Sequence, residues 1–193
     1  PLVADMSSDF LSKPLDISNF GLIYAGAQKN LGPAGVTLVI IKDELADKCP
    51  KHIPTIFRYK TYIENNSLFN TVPTFPVYVL CLVTRWMKKI GGITEIQNIN
   101  ENKANKLYKA IDSSDFYVGT AVKEYRSTMN VTWRIKNQEL ESSFLEEASQ
   151  HNLKTLKGHR SVGGIRASIY NAFPESGVDA LIAFMKDFES KNG

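Results

Sequence analysis

The stretch GLIYAGAQKNLGPAGVTLVII, residues 21–41, sets two short apolar runs on either side of a turn segment holding Gly32-Pro33 and Gly35. Runs this short, rich in Ile and Val and bounded by Gly and Pro, read as strand, loop and buried strand. The loop between them carries Gln28-Lys29-Asn30. A lysine between two runs that belong inside a protein is expected close to a core, where a long cation needs a reason to be.

Upstream, the chain opens Pro1-Leu2-Val3-Ala4-Asp5 without an initiator Met. This reads as the end of a buried strand, so polypeptide is expected before it. Downstream, apolar residues Val77, Leu80, Val83 and Met87 recur at helical spacing. They predict a helix over about 76–90, capped by Thr74 and stopped by Gly91-Gly92. A second helix is expected over 93–111, with Ile93, Ile96, Leu107 and Ile111 as a sparse apolar stripe on a surface helix. From about residue 115 the pattern shortens. Strands near Tyr117, over 129–135 and over 165–170 interleave with helices over 142–151 and 176–190. That order predicts an α/β chain whose last part is a small domain, with helices on one face of a mostly antiparallel sheet. The domain division is placed at 1–92 and 93–193.

With 43% hydrophobic and 22% charged residues the composition is globular. The net charge of +3, from 23 basic and 20 acidic residues spread along the chain, gives no reason to expect nucleic acid or an acidic membrane as partner. No apolar run is long enough to span a bilayer and no signal sequence is legible, so a cytoplasmic location is expected. Cys49 and Cys81 stand far apart without CxxC pairing, which indicates neither a metal site nor a disulfide framework.

Three groups have side chains suited to chemistry. Lys29 is an amine that captures carbonyls when its surroundings make the neutral form accessible, or else a lysine whose ammonium reaches back to water. Asp5 follows one strand as Lys29 follows the next, and ligands gather at the carboxyl ends of strands in α/β sheets. Such a pair suits pyridoxal phosphate (PLP), which needs an amine for its aldehyde and a carboxylate to keep its ring nitrogen protonated. Asp5 is equally readable as a turn or cap residue. The third group, GHRSVGGIR over 158–166, crowds His159, Arg160 and Arg166 around a glycine pair. Cations this close repel one another unless an anion lies among them, and the guanidinium fork matches phosphate or carboxylate. In the strand that follows, Arg166 alternates with Ile165 and Ala167 and so points away from the apolar face. An ordinary solvated edge strand is the alternative. His52 and His151 have no such company and are read as structural.

The segment YAGAQKN, residues 24–30, followed by Gly32-Pro33-Ala34-Gly35, resembles the lysine signature of the phosphoserine aminotransferase family. The resemblance extends through Asp5-Met6-Ser7-Ser8, Asn70-Thr71 with Pro73, residues 158–168 and Tyr170-Asn171-Ala172, all in family order. It implies the C-terminal part of a fold-type I PLP-dependent transferase: the end of the large-domain sheet plus the small domain. It further implies that Lys29 forms the Schiff base with PLP, that Asp5 pairs with the pyridinium nitrogen and that Gln28 contacts the cofactor phosphate. Asn70 and Thr71 would reach the phosphate of PLP in the neighbouring subunit of a homodimer. His159 and Arg160 would bind the substrate phosphate, and Arg166 its α-carboxylate. The implied reaction is amino transfer between O-phospho-L-serine/3-phosphohydroxypyruvate and glutamate/2-oxoglutarate in serine biosynthesis. The family's N-terminal ligands are absent from these residues, so a non-catalytic anion-binding dimerisation fragment is the second reading. A PLP enzyme for a small unphosphorylated amino acid is disfavoured, because the extra cations would go unused.

Overall fold

A computed structural model describes residues 1–193, which divide into two compact units, Pro1–Ile96 and Gln97–Gly193. In the first, β1 (Val3–Asp5), β2 (Leu22–Gly26) and β3 (Thr37–Ile41) form a sheet in the order β1-β2-β3. β1 runs parallel to β2, and β3 antiparallel to it. The turn between β2 and β3 closes on a small cluster of Ala25, Ala27 and Leu31, with Phe10, Leu38 and Leu80 packed against it. Two short helices follow, α1 (Asp43–Ala46) and α2 (Tyr59–Glu64), and then α3 (Thr74–Lys89).

Two expectations for this unit need correcting. β3 is not a buried strand: none of its residues is buried, because it is an edge strand of a three-stranded sheet. Thr74 is not a cap but the first residue of α3. Pro73 holds the N-cap position with no side-chain hydrogen bond. Pro76 then falls in the first turn, where its missing N–H breaks no helical bond. The unit leaves Phe57, Leu68 and Phe75 largely exposed. No helix of the chain is long and apolar enough to cross a membrane.

The second unit holds most of the core. α4 (Gly92–Asp112), within which the division falls, leads into β4 (Tyr117–Gly119), β5 (Asn130–Ile135), α5 (Glu141–Gln150), β6 (Ile165–Ser168) and α6 (Glu175–Asn192). The sheet β4-β5-β6 is antiparallel throughout, as the sequence predicts. β5 alternates strictly, so Val131, Trp133 and Ile135 face inward with Ile165 and Ala167 of β6. Against them lie apolar faces of α4, α5 and α6. Phe144 is central, its ring in edge-on or tilted contact with Tyr117, Trp133, Phe184 and Phe188. Truncating such a ring costs about 3–5 kcal/mol.

α4 is not the surface helix its composition suggests. Ile96, Asn100, Lys103, Ala104, Leu107, Tyr108 and Ile111 are all buried, a complete stripe at helical spacing. Two of its members are polar and are paired inside: Asn100 Nδ2 donates to Asn171 Oδ1 at 2.8 Å. The Lys103 Nζ donates to the carbonyls of Ile169, Tyr170, Asn171 and Phe173 at 2.8–3.4 Å. Lys103 thereby satisfies the backbone where the chain leaves β6, which answers the desolvation cost of burying it.

Candidate active site

The parallel register sets Asp5, the last residue of β1, beside Tyr24 of β2, and the Met6 amide continues the ladder to the Tyr24 carbonyl at 2.8 Å. Asp5 is exposed but fixed. Its Oδ1 accepts from the Ser7 hydroxyl at 2.6 Å and the Ser7 amide at 2.9 Å. Ser7 Oγ in turn accepts from the Gly26 amide at 3.0 Å, which ties the carboxylate to the end of β2. These two Ser7 bonds hold the Asp5 carboxyl below the usual carboxylate range, with smaller help from the Tyr24 hydroxyl and the Lys29 charge. The Asp5 charge, above all, raises the Tyr24 phenol in return.

Lys29 stands in the turn after β2 between anchors that point inward. Ala27 and Leu31 are in the apolar cluster, and the buried Asn30 donates from Nδ2 to the carbonyls of Ser8 and Phe10 at 3.3 Å each. The turn is thus pinned to the segment that follows Asp5. Lys29 itself is exposed, contrary to the expectation of a lysine close to a core, because Gln28 and Lys29 are the residues of this turn that face outward while Ala27 and Asn30 face in. The Gln28 side chain folds back over Gly26, where an added Cβ would come 2.6 Å from Gln28 Oε1. Asp5, Gln28 and Lys29 therefore lie together at the carboxyl ends of β1 and β2. Asn70 and Thr71 are both exposed ahead of α3, with Asn70 Nδ2 donating to the Thr71 carbonyl at 3.2 Å, and no hydrogen bond ties their side chains to Asp5, Gln28 or Lys29.

The other three residues gather in the second unit. His159 and Arg160 occupy a loop closed by the Gly158 amide on the Gly164 carbonyl at 2.8 Å, with the Val162 and Gly163 amides both on the His159 carbonyl. Gly163 and Gly164 both take positive φ (+73° and +72°), a backbone that residues with a Cβ rarely adopt. The His159 Nδ1 accepts from the Ser161 amide at 3.3 Å and lies 2.7 Å from Ser161 Oγ. In neutral imidazole that assignment leaves the proton on Nε2, a donor for an anion. Arg166 lies on the polar side of β6 as predicted, opposite Thr132, and its Nε is buried without a partner. A buried guanidinium donor left open suits a carboxylate oxygen.

Sequence reasoning missed four side chains that organise these groups. Ser7 and Asn30 were visible only as polar neighbours of Asp5 and Lys29, while Lys103 and Arg134 act on residues far along the chain.

A sequence model of the family described as aminotransferase class-V matches residues 1–181. The phosphoserine aminotransferase of Desulfatibacillum aliphaticivorans is 53% identical over 194 residues, covering 100% of this chain and 54% of that protein. The phosphoserine aminotransferase of Lysinibacillus sphaericus is 55% identical, with 100% of this chain and 53% of that protein covered. The chain thus spans about half the length of the curated relatives it matches. Among solved structures, the phosphoserine aminotransferase from Bacillus circulans subsp. alkalophilus matches at TM-score 0.96 and 50% identity, over 100% of this chain and 54% of that one. PLP-bound phosphoserine aminotransferase from Trichomonas vaginalis matches at 0.90 and 40%, over 96% and 53%.

Proposed function

The chain belongs to the aminotransferase class-V family, and from that premise we propose that it carries the Schiff-base lysine and substrate cations of a PLP-dependent phosphoserine aminotransferase. The observation that carries this reading is the Asp5 carboxylate, kept ionised by Ser7 at a strand end with the Lys29 charge acting on it. An amine and a carboxylate so disposed fit PLP. When bound, PLP supplies a protonated ring that withdraws electrons from the substrate Cα.

The chain's own residues then divide the work. Lys29 Nζ would hold the cofactor through its aldehyde and, when free, would carry the proton at the substrate Cα. Asp5 would keep the proton on the ring nitrogen, and the Gln28 amide would hold the cofactor phosphate. Arg166 takes the substrate α-carboxylate in a forked pair, while His159 Nε2 and Arg160 take the distal phosphate. Two fixed anionic ends orient the Cα–H bond. Glutamate and 2-oxoglutarate share the site because their distal carboxylate replaces the phosphate. Asn70 and Thr71, both exposed, would serve the cofactor phosphate of a second copy in a homodimer. Residues 1–92 are read as the end of the cofactor-binding domain and 93–193 as the small domain of a cytoplasmic enzyme of serine biosynthesis.

The test is borohydride reduction of the purified protein with PLP, followed by peptide mapping and an assay of O-phospho-L-serine with 2-oxoglutarate. Label on Lys29 together with turnover is the expected result. Turnover with the label on another lysine would remove Lys29 from its role.

A further inference from the structure

Residues 159–163 make hydrogen bonds among themselves, and a single hydrogen bond links them to the rest of their unit. That bond comes from Arg134 of β5, whose Nη2 donates to the Val162 carbonyl at 2.5 Å. Arg134 is itself held from the other side. Its Nη1 lies 3.2 Å from Gln138 Oε1 and 3.5 Å from Glu141 Oε2, and Glu141 is the first residue of α5, where the helix dipole favours a negative charge. The glycine pair lies flat on this side chain: a Cβ on Gly163 would come 3.0 Å from Arg134 Nη2, and one on Gly164 3.2 Å from Arg134 Cγ. With its guanidinium turned to a carbonyl, an amide and a carboxylate, Arg134 holds the loop and is not itself directed at a ligand.

We propose that Arg134 is a positioning residue for the distal-anion site, gripping the Val162 carbonyl so that His159 and Arg160 are presented to one anion. The proposal rests on the reading of His159 and Arg160 as ligands of the substrate phosphate. A loop with one outside tie loses its set conformation when that tie goes. The cations then pay their mutual repulsion without a shared ligand, and affinity for the distal anion falls.

The experiment uses the intact protein and measures binding of O-phospho-L-serine and of L-serine, which lacks the distal anion, to Arg134→Gln, Arg134→Lys and Arg160→Ala. Arg134→Gln keeps the methylenes that pack on Gly164. It should weaken O-phospho-L-serine by about tenfold or more, leave L-serine within about twofold, and speed hydrogen exchange at the Gly163 amide. Arg134→Lys, which can still reach the Val162 carbonyl, should recover part of the loss. Should the Gln variant fail to fold, the same two-ligand comparison on Arg134→Lys decides. Weakened binding in Arg160→Ala with wild-type binding in Arg134→Gln overturns the role of Arg134 alone. Equal weakening of both ligands by Arg134→Gln overturns it too, since that is damage to the fold in general. Unchanged affinity in all variants removes the anion site itself, and the proposal with it.

Discussion

The Ser7 hydroxyl donates to Asp5 Oδ1 at 2.6 Å, and the same hydroxyl oxygen accepts from the Gly26 amide. The carboxylate proposed to hold the cofactor's ring nitrogen is therefore aimed by the strand next to it. Its pKa is lowered in the folded chain, so the contribution to stability is present above the unfolded value and is lost as pH falls through the folded one. Ser7→Ala should shift that loss to higher pH, read as the Asp5 carboxyl resonance in an NMR titration. It should also weaken PLP binding roughly fivefold, the equivalent of one hydrogen bond of about 1 kcal/mol. An Asp5 titration unchanged by the substitution would show that Ser7 does not set it.

Lys29 and Arg166 should fail in different ways. On the proposed assignment Lys29→Ala removes both the attachment point and the proton carrier, so turnover of O-phospho-L-serine should drop by about a thousandfold or more. Arg166→Lys keeps the charge but loses the fork, and the open Nε donor has no counterpart in an ammonium. Its KM should rise about tenfold while kcat changes little. Steady-state kinetics separates the two, and a Lys29→Ala protein that still turns over would end the assignment.

What the sequence made legible was local. The alternation of Ile165, Arg166 and Ala167 placed Arg166 on the polar face of β6, and the structure keeps it there. The Gly163-Gly164 pair announced a turn, and both residues do take positive φ. Lys103 was unreadable because its four carbonyl partners lie 66 to 70 residues downstream, so that a polar residue at a core position of α4 looked like solvent surface. The exposure of Lys29 and β3 was illegible for the opposite reason. Apolar runs show that a segment can be buried, and only the arrangement of neighbouring elements determines whether it is.

Lys103 offers a prediction whose sign can be worked out. Burial pushes its ammonium down to about 8 from the usual 10.5, with the Glu175 charge opposing. Between those two values the unfolded chain carries a proton that the folded chain lacks, so this group makes stability rise with pH across that window. Lys103→Met removes the donor from the carbonyls of Ile169, Asn171 and Phe173, while that of Tyr170 keeps the Phe173 amide, at a cost of about 2 kcal/mol at neutral pH. The deficit relative to wild type should then grow between pH 8 and 10.5. Denaturant unfolding of both proteins across this range measures it, and a constant deficit would mean that Lys103 does not titrate there.

Gly158→Ala tests the loop from its other end. A Cβ at this position would lie 2.0 Å from the Gly163 carbonyl oxygen and 2.7 Å from that of Gly164, both backbone atoms that cannot rotate aside. The Gly158 amide would have to leave the Gly164 carbonyl, opening the closure that holds His159 and Arg160 over a short span. The sheet below depends on other contacts, because Arg166 donates its amide to the Leu156 carbonyl at 2.7 Å and β6 is paired with β5. The fold should therefore survive with a loss of about 1–3 kcal/mol, while affinity for O-phospho-L-serine drops about tenfold or more, as for a displaced charged ligand. Calorimetric binding alongside thermal unfolding separates the two effects. A protein that loses stability but binds the phosphorylated ligand unchanged would show that the anion is held by Arg166 and groups outside this loop.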